Sequence, residues 1–133
     1  VVLAEMPYAE YYGDNDFMTL TNGNAHAGNA AALQVAADAQ AAGKNVVGIL
    51  LSGRPLLITN ELSNFDSFVA AWLPGSEGGN GISDVLFGDY DFTGTLPMTW
   101  PATLSQVGIT SNDDDYESKS VLYRYGYGLS YND

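Results

Sequence analysis

The chain contains no cysteine and has few positive charges. The absence of cysteine among its 133 residues excludes disulfides, thiolate metal ligands and a cysteine nucleophile. Only 4 residues are Lys or Arg, against 16 that are Asp or Glu, and the formal net charge is −12. A surface this acidic repels phosphate backbones and anionic membranes, so we expect no nucleic-acid partner.

Histidine and long apolar runs are also scarce. A Ser-His-Asp triad would have to use His26, and Ser76 lacks the G-x-S-x-G elbow because Gly75 directly precedes it. His26 is therefore expected at the surface or at a helix start. Residues 75–81 are rich in glycine, but no Lys-Ser or Lys-Thr follows, which excludes a phosphate-binding loop. No segment approaches the roughly 18 to 20 continuous apolar residues of a membrane span, so we expect no membrane partner.

The first half of the chain predicts two strands around a helix. Residues 1–4 are apolar and resemble a strand. Residues 29–42 consist mainly of strong helix formers and end before Gly43, which predicts a helix that stops at this glycine. Residues 45–51 have almost no polar alternation, which is typical of a strand covered on both faces.

The next residues continue the same alternation. We predict a short strand at 56–58, a helical turn at 60–66 and a strand at 67–72 that ends in a Pro-Gly turn. A short helix follows, with Asn80 as its cap and Gly88 as its end. This order predicts an α/β fold with a mostly parallel sheet flanked by helices.

The polar and aromatic loop at residues 5–16 follows the first strand. Ligands of open α/β sheets bind outside the carboxyl ends of the strands, so this loop is the first place to look for chemistry. Glu10 lies between Tyr8 and Tyr11, whose rings can exclude water from a carboxyl group and can stack on sugar faces. From spacing alone, a solvated loop carboxylate is the simpler interpretation of Glu10.

The neighbouring carboxylates have simpler structural interpretations. We expect Glu5, at the end of the first strand, to accept hydrogen bonds that fix the loop backbone. Asp14 and Asp16 could bind a cation, but an Asx-turn explains them with fewer assumptions. Residues 113–115 lack the glycine and the frame of a calcium-binding loop and predict a solvated turn.

Two residues of the Pro-Gly turn region could also be taken for site residues. Glu77 lies among glycines, and we expect it to accept hydrogen bonds from nearby amides or from Arg54. Trp72 could be a platform for a sugar, but the apolar strand before it favours a place in the core.

Five motifs in order resemble the second domain of the family 3 glycoside hydrolases, which include β-glucosidases and exo-β-glucanases. They are SGRP at 52–55, WLPGSEGG at 72–79, DVLFGD at 84–89, TGTLP at 93–97 and YGYGLSY at 125–131. Together they span most of the chain, and their combination is far more specific than any single glycine pattern.

The resemblance implies a role for the loop. In the family, a P-Y-x-E-x-x-G-D loop, matched here at residues 7–14, carries the general acid/base at the position of Glu10. Tyr8 and Tyr11 would then be substrate-binding residues. The implied reaction is a retaining hydrolysis of terminal non-reducing β-D-glucosyl residues from a β-glucoside or β-glucan. The family needs no organic cofactor, and its nucleophile is an Asp on a separate N-terminal barrel domain. We expect no metal site in this chain.

The resemblance also implies that the chain is part of a larger protein. It begins with a strand-like run and no initiator Met, so we interpret residues 1–133 as a fragment of a truncated domain. Its core would span about 1–101, and a loop and aromatic tail would span 102–133. Alone it is expected to be inactive, and the whole protein is expected to be periplasmic or extracellular.

Two alternatives remain open at this stage. One is a non-catalytic carbohydrate-binding or interaction module with the same fold. The other is the N-acetylglucosaminidase branch of the same family, whose acid/base lies on the barrel. The P-Y-x-E loop argues against this branch.

Overall fold

A computed structural model describes all residues 1–133. The strands are β1 (Val2–Ala4), β2 (Val47–Leu51) and β3 (Ser67–Ala70), and the α-helices are α1 (Asn29–Ala41) and α2 (Gly78–Leu86). Short 3-10 helices lie at Leu62–Asn64, Leu104–Gln106 and Tyr116–Ser118. The chain divides into two compact units, Val1–Leu73 and Pro74–Asp133. None of the helices has the length and apolar content needed to cross a bilayer.

The first unit is built on a three-stranded parallel sheet in the order β1-β2-β3. Leu3 pairs with Leu50 and Ile49 pairs with Val69, so the central strand β2 is bonded on both edges. Leu3 and Leu50 are fully buried. The apolar runs therefore predicted the parallel sheet of an α/β fold correctly, because a central parallel strand needs apolar side chains on both faces.

Helix α1 connects β1 to β2, and its alanines predicted it correctly. Ala36 is completely buried. The helix ends as predicted at Gly43, which has φ +67°. Lys44 N donates to Ala39 O at 2.9 Å and Gly43 N donates to Gln40 O at 2.9 Å, which is the Schellman pattern.

Asn29, the first residue of α1, ties the helix to the end of β1. Its side chain is buried, accepts from Ala4 N at 3.0 Å, and donates to Ala4 O and Leu20 O, both at 2.8 Å. The loop between β1 and α1 is therefore fixed at its base by one buried amide.

The predicted strand at residues 56–58 is wrong. Leu57 makes a single parallel bridge to Thr19, and its N donates to Met18 O at 2.6 Å. A ladder cannot develop there, because Pro55 has no backbone donor and a turn begins at once, with Glu61 N donating to Ile58 O at 3.0 Å.

Strand β3 is shorter than predicted. It ends at Ala70, and Trp72 has φ +54°, a left-handed conformation that cannot continue an extended strand. Trp72 is half-buried, so the expectation that it belongs to the core is not met.

Helix α2 lies in the second unit and begins earlier than predicted. Its first residue is Gly78, and Asn80 lies within the first turn, so Asn80 is not the cap. The helix starts there because the Pro-Gly turn closes immediately before it, with Gly78 N donating to Gly75 O at 3.3 Å. Its end at Gly88 is as predicted: this residue has φ +85° and Asp89 N donates to Asp84 O at 2.8 Å.

The aromatic tail packs inside the second unit around two buried side chains. Trp100 forms an antiparallel bridge with Tyr123. The hydroxyl of buried Tyr116 accepts from Thr99 Oγ1 at 3.0 Å and from Tyr125 N at 2.9 Å. The tail is therefore bonded to this unit at Tyr116 and Tyr123, while its last aromatic residues, Tyr125, Tyr127 and Tyr131, are exposed.

Candidate active site

The loop of residues 5–24 begins at the carboxyl end of β1. Glu5 N donates to Leu51 O at 2.9 Å, which places the loop start beside the end of β2. Met6 N donates to Asn24 O at 2.6 Å, so the two ends of the loop lie side by side. Residues that follow β1 and β2 therefore meet at one edge of the sheet, as expected for parallel strands.

The carboxylate of Glu5 is buried at this edge, with its side chain 4% exposed. Its Oε1 accepts from Arg54 Nε at 3.0 Å. Its Oε2 lies 3.3 Å from Gly53 N and 3.4 Å from the Tyr8 hydroxyl, both of which donate to it. Both oxygens are thus occupied by the protein, so Glu5 is structural as predicted, but it binds Arg54, Gly53 N and the Tyr8 hydroxyl rather than backbone amides of its own loop.

Arg54, which follows β2, joins three points of the loop. Besides Glu5, it donates from Nη1 to Gly13 O at 2.6 Å, and its guanidinium carbon lies 4.7 Å from the centre of the Tyr8 ring. We call Glu5, Tyr8, Gly13 and Arg54 the Arg54 cluster. The hydrogen bonds expected for Glu77 are not found. Arg54 donates to Glu5 and Gly13 instead, because Arg54 and Glu5 follow neighbouring strands, and the Glu77 side chain makes no cap bond to the amides of α2.

Tyr8 fits closely between backbone segments. A Cβ at Gly13 would lie 2.7 Å from a ring carbon of Tyr8, and a Cβ at Gly53 would lie 2.9 Å from its hydroxyl, so a side chain at either position would displace Tyr8. Burial, and next the negative charge of Glu5, raise the pKa of the Tyr8 phenol. Tyr8 thus remains a neutral hydrogen-bond donor, with one face of its ring covered by Arg54.

Glu10 and Tyr11 lie at the exposed part of the same loop. The carboxylate of Glu10 is exposed and has no hydrogen-bond or ion-pair partner within residues 1–133. Tyr11 is 84% exposed and has φ +58°. Two bonds stabilise this left-handed turn: Tyr12 N donates to Glu10 O at 2.6 Å and Asp14 N donates to Tyr11 O at 2.9 Å. Such a conformation costs on the order of 1–3 kcal/mol for a non-glycine residue and is typical of functional sites.

The expected shielding of Glu10 by tyrosine rings is not found in this chain. Tyr11 and Tyr12 are both more than four-fifths exposed, and the Tyr8 hydroxyl is directed to Glu5. Any burial of the Glu10 carboxyl therefore has to come from a surface that the chain does not provide.

The two aspartates of the loop do not form a cation site. The Asx-turn expected here is made by the residue between them, since Asn15 Oδ1 accepts from Phe17 N at 3.0 Å. Asp14 and Asp16 are exposed. Across residues 1–133, no three His, Asp or Glu side chains come together in a way that could hold a metal ion.

Other polar residues have the structural roles that the sequence predicts. His26 lies just before α1 and its Nδ1 accepts from Gly28 N at 3.0 Å. Residues 113–115 form a turn in which Asp115 pairs with Lys119 at 2.9 Å. That hydrogen bond lowers the pKa of the Asp115 carboxyl and raises the pKa of Lys119.

The contact of Arg54 with the loop was not predicted from the sequence. Its partner Glu5 lies 49 positions earlier, so no local pattern joins them. The sequence shows only that Glu5 and Arg54 carry opposite charges and lie within three residues of the ends of two predicted strands; it does not show that these strands are neighbours.

Comparisons with known proteins agree on one family. The family model for the glycosyl hydrolase family 3 C-terminal domain matches residues 9–131. The chain is 38% identical over 111 residues to a periplasmic β-glucosidase of Salmonella typhimurium, covering 69% of this chain and 14% of that protein. It is 40% identical over 100 residues to a xylan 1,4-β-xylosidase of Xylanibacter ruminicola, covering 69% of this chain and 11% of that protein.

A solved structure gives the same result for the fold. The crystal structure of an exo-1,3/1,4-β-glucanase from a Pseudoalteromonas species superposes with a TM-score of 0.83 at 42% identity, covering 99% of this chain and 16% of that one. The chain thus spans only 11 to 16% of the lengths of these three relatives. With a family model that covers nearly the whole sequence, the chain belongs to the glycosyl hydrolase family 3 C-terminal domain family.

Proposed function

We propose that this chain supplies the general acid/base, Glu10, to a retaining β-glucosidase or exo-β-glucanase that removes terminal non-reducing β-D-glucosyl residues. The observation that carries the proposal is an exposed, unpaired carboxylate on a loop held by the Arg54 cluster at the carboxyl edge of the sheet. Relatives named β-glucosidase and exo-1,3/1,4-β-glucanase support the substrate class.

The chemistry needs a second carboxylate that this chain does not offer beside Glu10. We propose an Asp on an N-terminal barrel domain of the same protein, with the two carboxyl groups about 5 to 5.5 Å apart. Its oxygen attacks the anomeric carbon while the Glu10 carboxyl gives its proton to the departing glycosidic oxygen. In the second step, the Glu10 carboxylate takes a proton from water, whose oxygen attacks the anomeric carbon and releases the Asp.

A docked barrel would also provide the missing shielding of Glu10. The carboxyl is exposed in this chain, whereas an acid that protonates a sugar oxygen has to carry its proton when the substrate is bound. Covering residues 10–12 with a second domain excludes water and favours the neutral acid. Tyr11, exposed beside Glu10, would then face the substrate. Tyr8, the other proposed substrate contact, directs its hydroxyl to Glu5, so its contact with a sugar would be through the ring.

The test uses the full-length protein and two aryl β-glucosides that differ in their leaving group. Dinitrophenolate departs without protonation, whereas phenolate needs an acid. In Glu10→Ala we expect kcat/KM for the phenyl glucoside to fall by about 10²–10⁴. The dinitrophenyl glucoside should change little in kcat/KM, and azide should restore its kcat by attacking the glycosyl intermediate.

Asp16→Asn is the matched control, because Asp16 is an exposed carboxylate of the same loop. It should leave both substrates unaffected. The proposal fails if Glu10→Ala hydrolyses the phenyl glucoside as well as the unmodified protein does, or if azide rescues nothing. Binding of glucan without hydrolysis by the full-length protein would instead support the non-catalytic module.

A β-xyloside is the second candidate substrate, because one relative at 40% identity is named a xylan 1,4-β-xylosidase. Comparing kcat/KM for phenyl glucoside and phenyl xyloside decides between the two substrates.

We also propose that the whole protein is periplasmic or extracellular, in line with the relative named a periplasmic β-glucosidase. Fractionation of the native cells tests this location.

A further inference from the structure

We infer that Arg54 is a positioning residue that places Glu10 for proton transfer. This inference rests on the proposed function of Glu10. Arg54 contacts Glu5 and Tyr8 before Glu10 and Gly13 after it, at 3.0 Å, 4.7 Å (to the ring centre) and 2.6 Å. The segment that carries Glu10 is therefore held on both sides by one guanidinium.

Arg54 is itself fixed to the sheet. Ser52 directly follows β2 and is buried, and its Oγ donates to Arg54 O at 2.8 Å. Ser52 N donates to Trp72 O at 3.1 Å, which ties this segment to the residues that follow β3. The Arg54 side chain is 20% exposed and that of its partner Glu5 is 4% exposed, so solvent weakens their ion pair little. Through Arg54, the loop that carries Glu10 is therefore fixed relative to the edge of the sheet.

Only an arginine can make this set of contacts. Its planar fork gives Nε to a carboxylate and Nη1 to a carbonyl in fixed directions, while its face stacks on a ring. A lysine has one flexible ammonium group and can satisfy the Glu5 charge, but it cannot hold Gly13 and Tyr8 at the same time. Arg54→Lys therefore keeps the positive charge but loses the simultaneous contacts with Gly13 and Tyr8.

The loss of geometry should appear as a selective loss of acid catalysis. A displacement of about 1 Å at a reacting group can cost about a hundredfold in rate. In the full-length protein we expect Arg54→Lys to lower kcat/KM for phenyl β-glucoside by about tenfold to hundredfold. The dinitrophenyl glucoside, which needs no proton, should lose much less. A reduced folded fraction would lower both values by the same factor, so the ratio of the two substrates is the readout.

Arg124 provides the matched control. It also donates to backbone carbonyls, Tyr116 O at 3.0 Å and Glu117 O at 2.9 Å, and its guanidinium carbon lies 5.1 Å from a tyrosine ring centre. It holds no proposed catalytic residue. Arg124→Lys should therefore leave the ratio of the two substrates at the value of the unmodified protein.

Glu5→Gln is the second variant, because it removes the charge that orients Arg54 while keeping the shape of the side chain. It should shift the substrate ratio in the same direction as Arg54→Lys. The inference is overturned if Arg54→Lys and Glu5→Gln leave the ratio unchanged while Glu10→Ala shifts it. If Glu10→Ala does not shift the ratio either, the proposed function of Glu10 falls first and the role of Arg54 falls with it.

Discussion

Asn29→Ala is the perturbation that tests whether the base of the loop depends on one buried amide. The side chain of Asn29 makes three hydrogen bonds, to Ala4 N, Ala4 O and Leu20 O, at 2.8 to 3.0 Å. Asn29 is 2% exposed, so water does not replace these bonds in the native structure. The substitution leaves polar backbone groups of β1 and the loop with fewer partners.

The expected magnitude follows from these contacts. A hydrogen bond contributes about 1 kcal/mol net, so losing three destabilises the local structure by about 3 kcal/mol. Since about 1.4 kcal/mol corresponds to a factor of ten, the opening equilibrium should rise by about two orders of magnitude. The effect should be concentrated at the start of α1, the end of β1 and the loop between them.

Hydrogen exchange followed by mass spectrometry measures this opening in the full-length protein. Peptides that cover residues 2–6 and 18–24 should exchange about a hundredfold faster in Asn29→Ala. Asn22→Ala is the control, since Asn22 is an exposed asparagine of the same loop. Equal exchange in both variants would refute the reasoning that Asn29 holds the loop base.

Two further predictions concern the Arg54 cluster. Gly13→Ala places a Cβ 2.7 Å from the Tyr8 ring, so kcat/KM for phenyl glucoside in the full-length protein should fall at least about tenfold. Gly81→Ala is the control, because a Cβ at Gly81 would have no atom within 4 Å. Equal kinetics in the two variants would contradict the close fit between Gly13 and Tyr8. The raised pKa of Tyr8 means that the folded protein keeps this proton to higher pH than the unfolded chain, so stability is retained below about pH 10 and falls as pH rises beyond it. Tyr8→Phe should make the fall of Tm above about pH 10 shallower without abolishing it, because the pKa of Tyr123 is raised as well. An unchanged slope would show that Tyr8 does not contribute.

The sequence predicted the elements that depend on local composition. The alanines of α1 and the uninterrupted apolar run of β2 each indicate one structure because propensity and burial agree. The segment at 56–58 misled because an apolar run bounded by a proline is equally compatible with a buried extended segment that pairs with almost nothing. The left-handed Trp72 could not be foreseen, since no residue preference favours it.

The candidate site was predictable in its residue types but not in its connections. A strand end followed by a loop with Glu10 and several tyrosines can be found by pattern, and the family resemblance gives that glutamate a role. The ion pair of Glu5 with Arg54 depends on strand order, because β1 and β2 are adjacent only after α1 has crossed over. Such contacts follow from topology, which a linear pattern does not contain.

The way in which Arg54 contacts its loop has a practical consequence for engineering the loop. Its hydrogen bonds and ring contact involve Glu5, Tyr8 and Gly13 and none of residues 9–12, so a randomised library at positions 9, 11 and 12 would leave these three partners unchanged. Position 11 should favour Gly, Asn or Asp among the selected variants, because its φ of +58° suits these residues best. The positions that can be varied, 9, 11 and 12, are thus different from the positions that hold the loop, 5, 8 and 13.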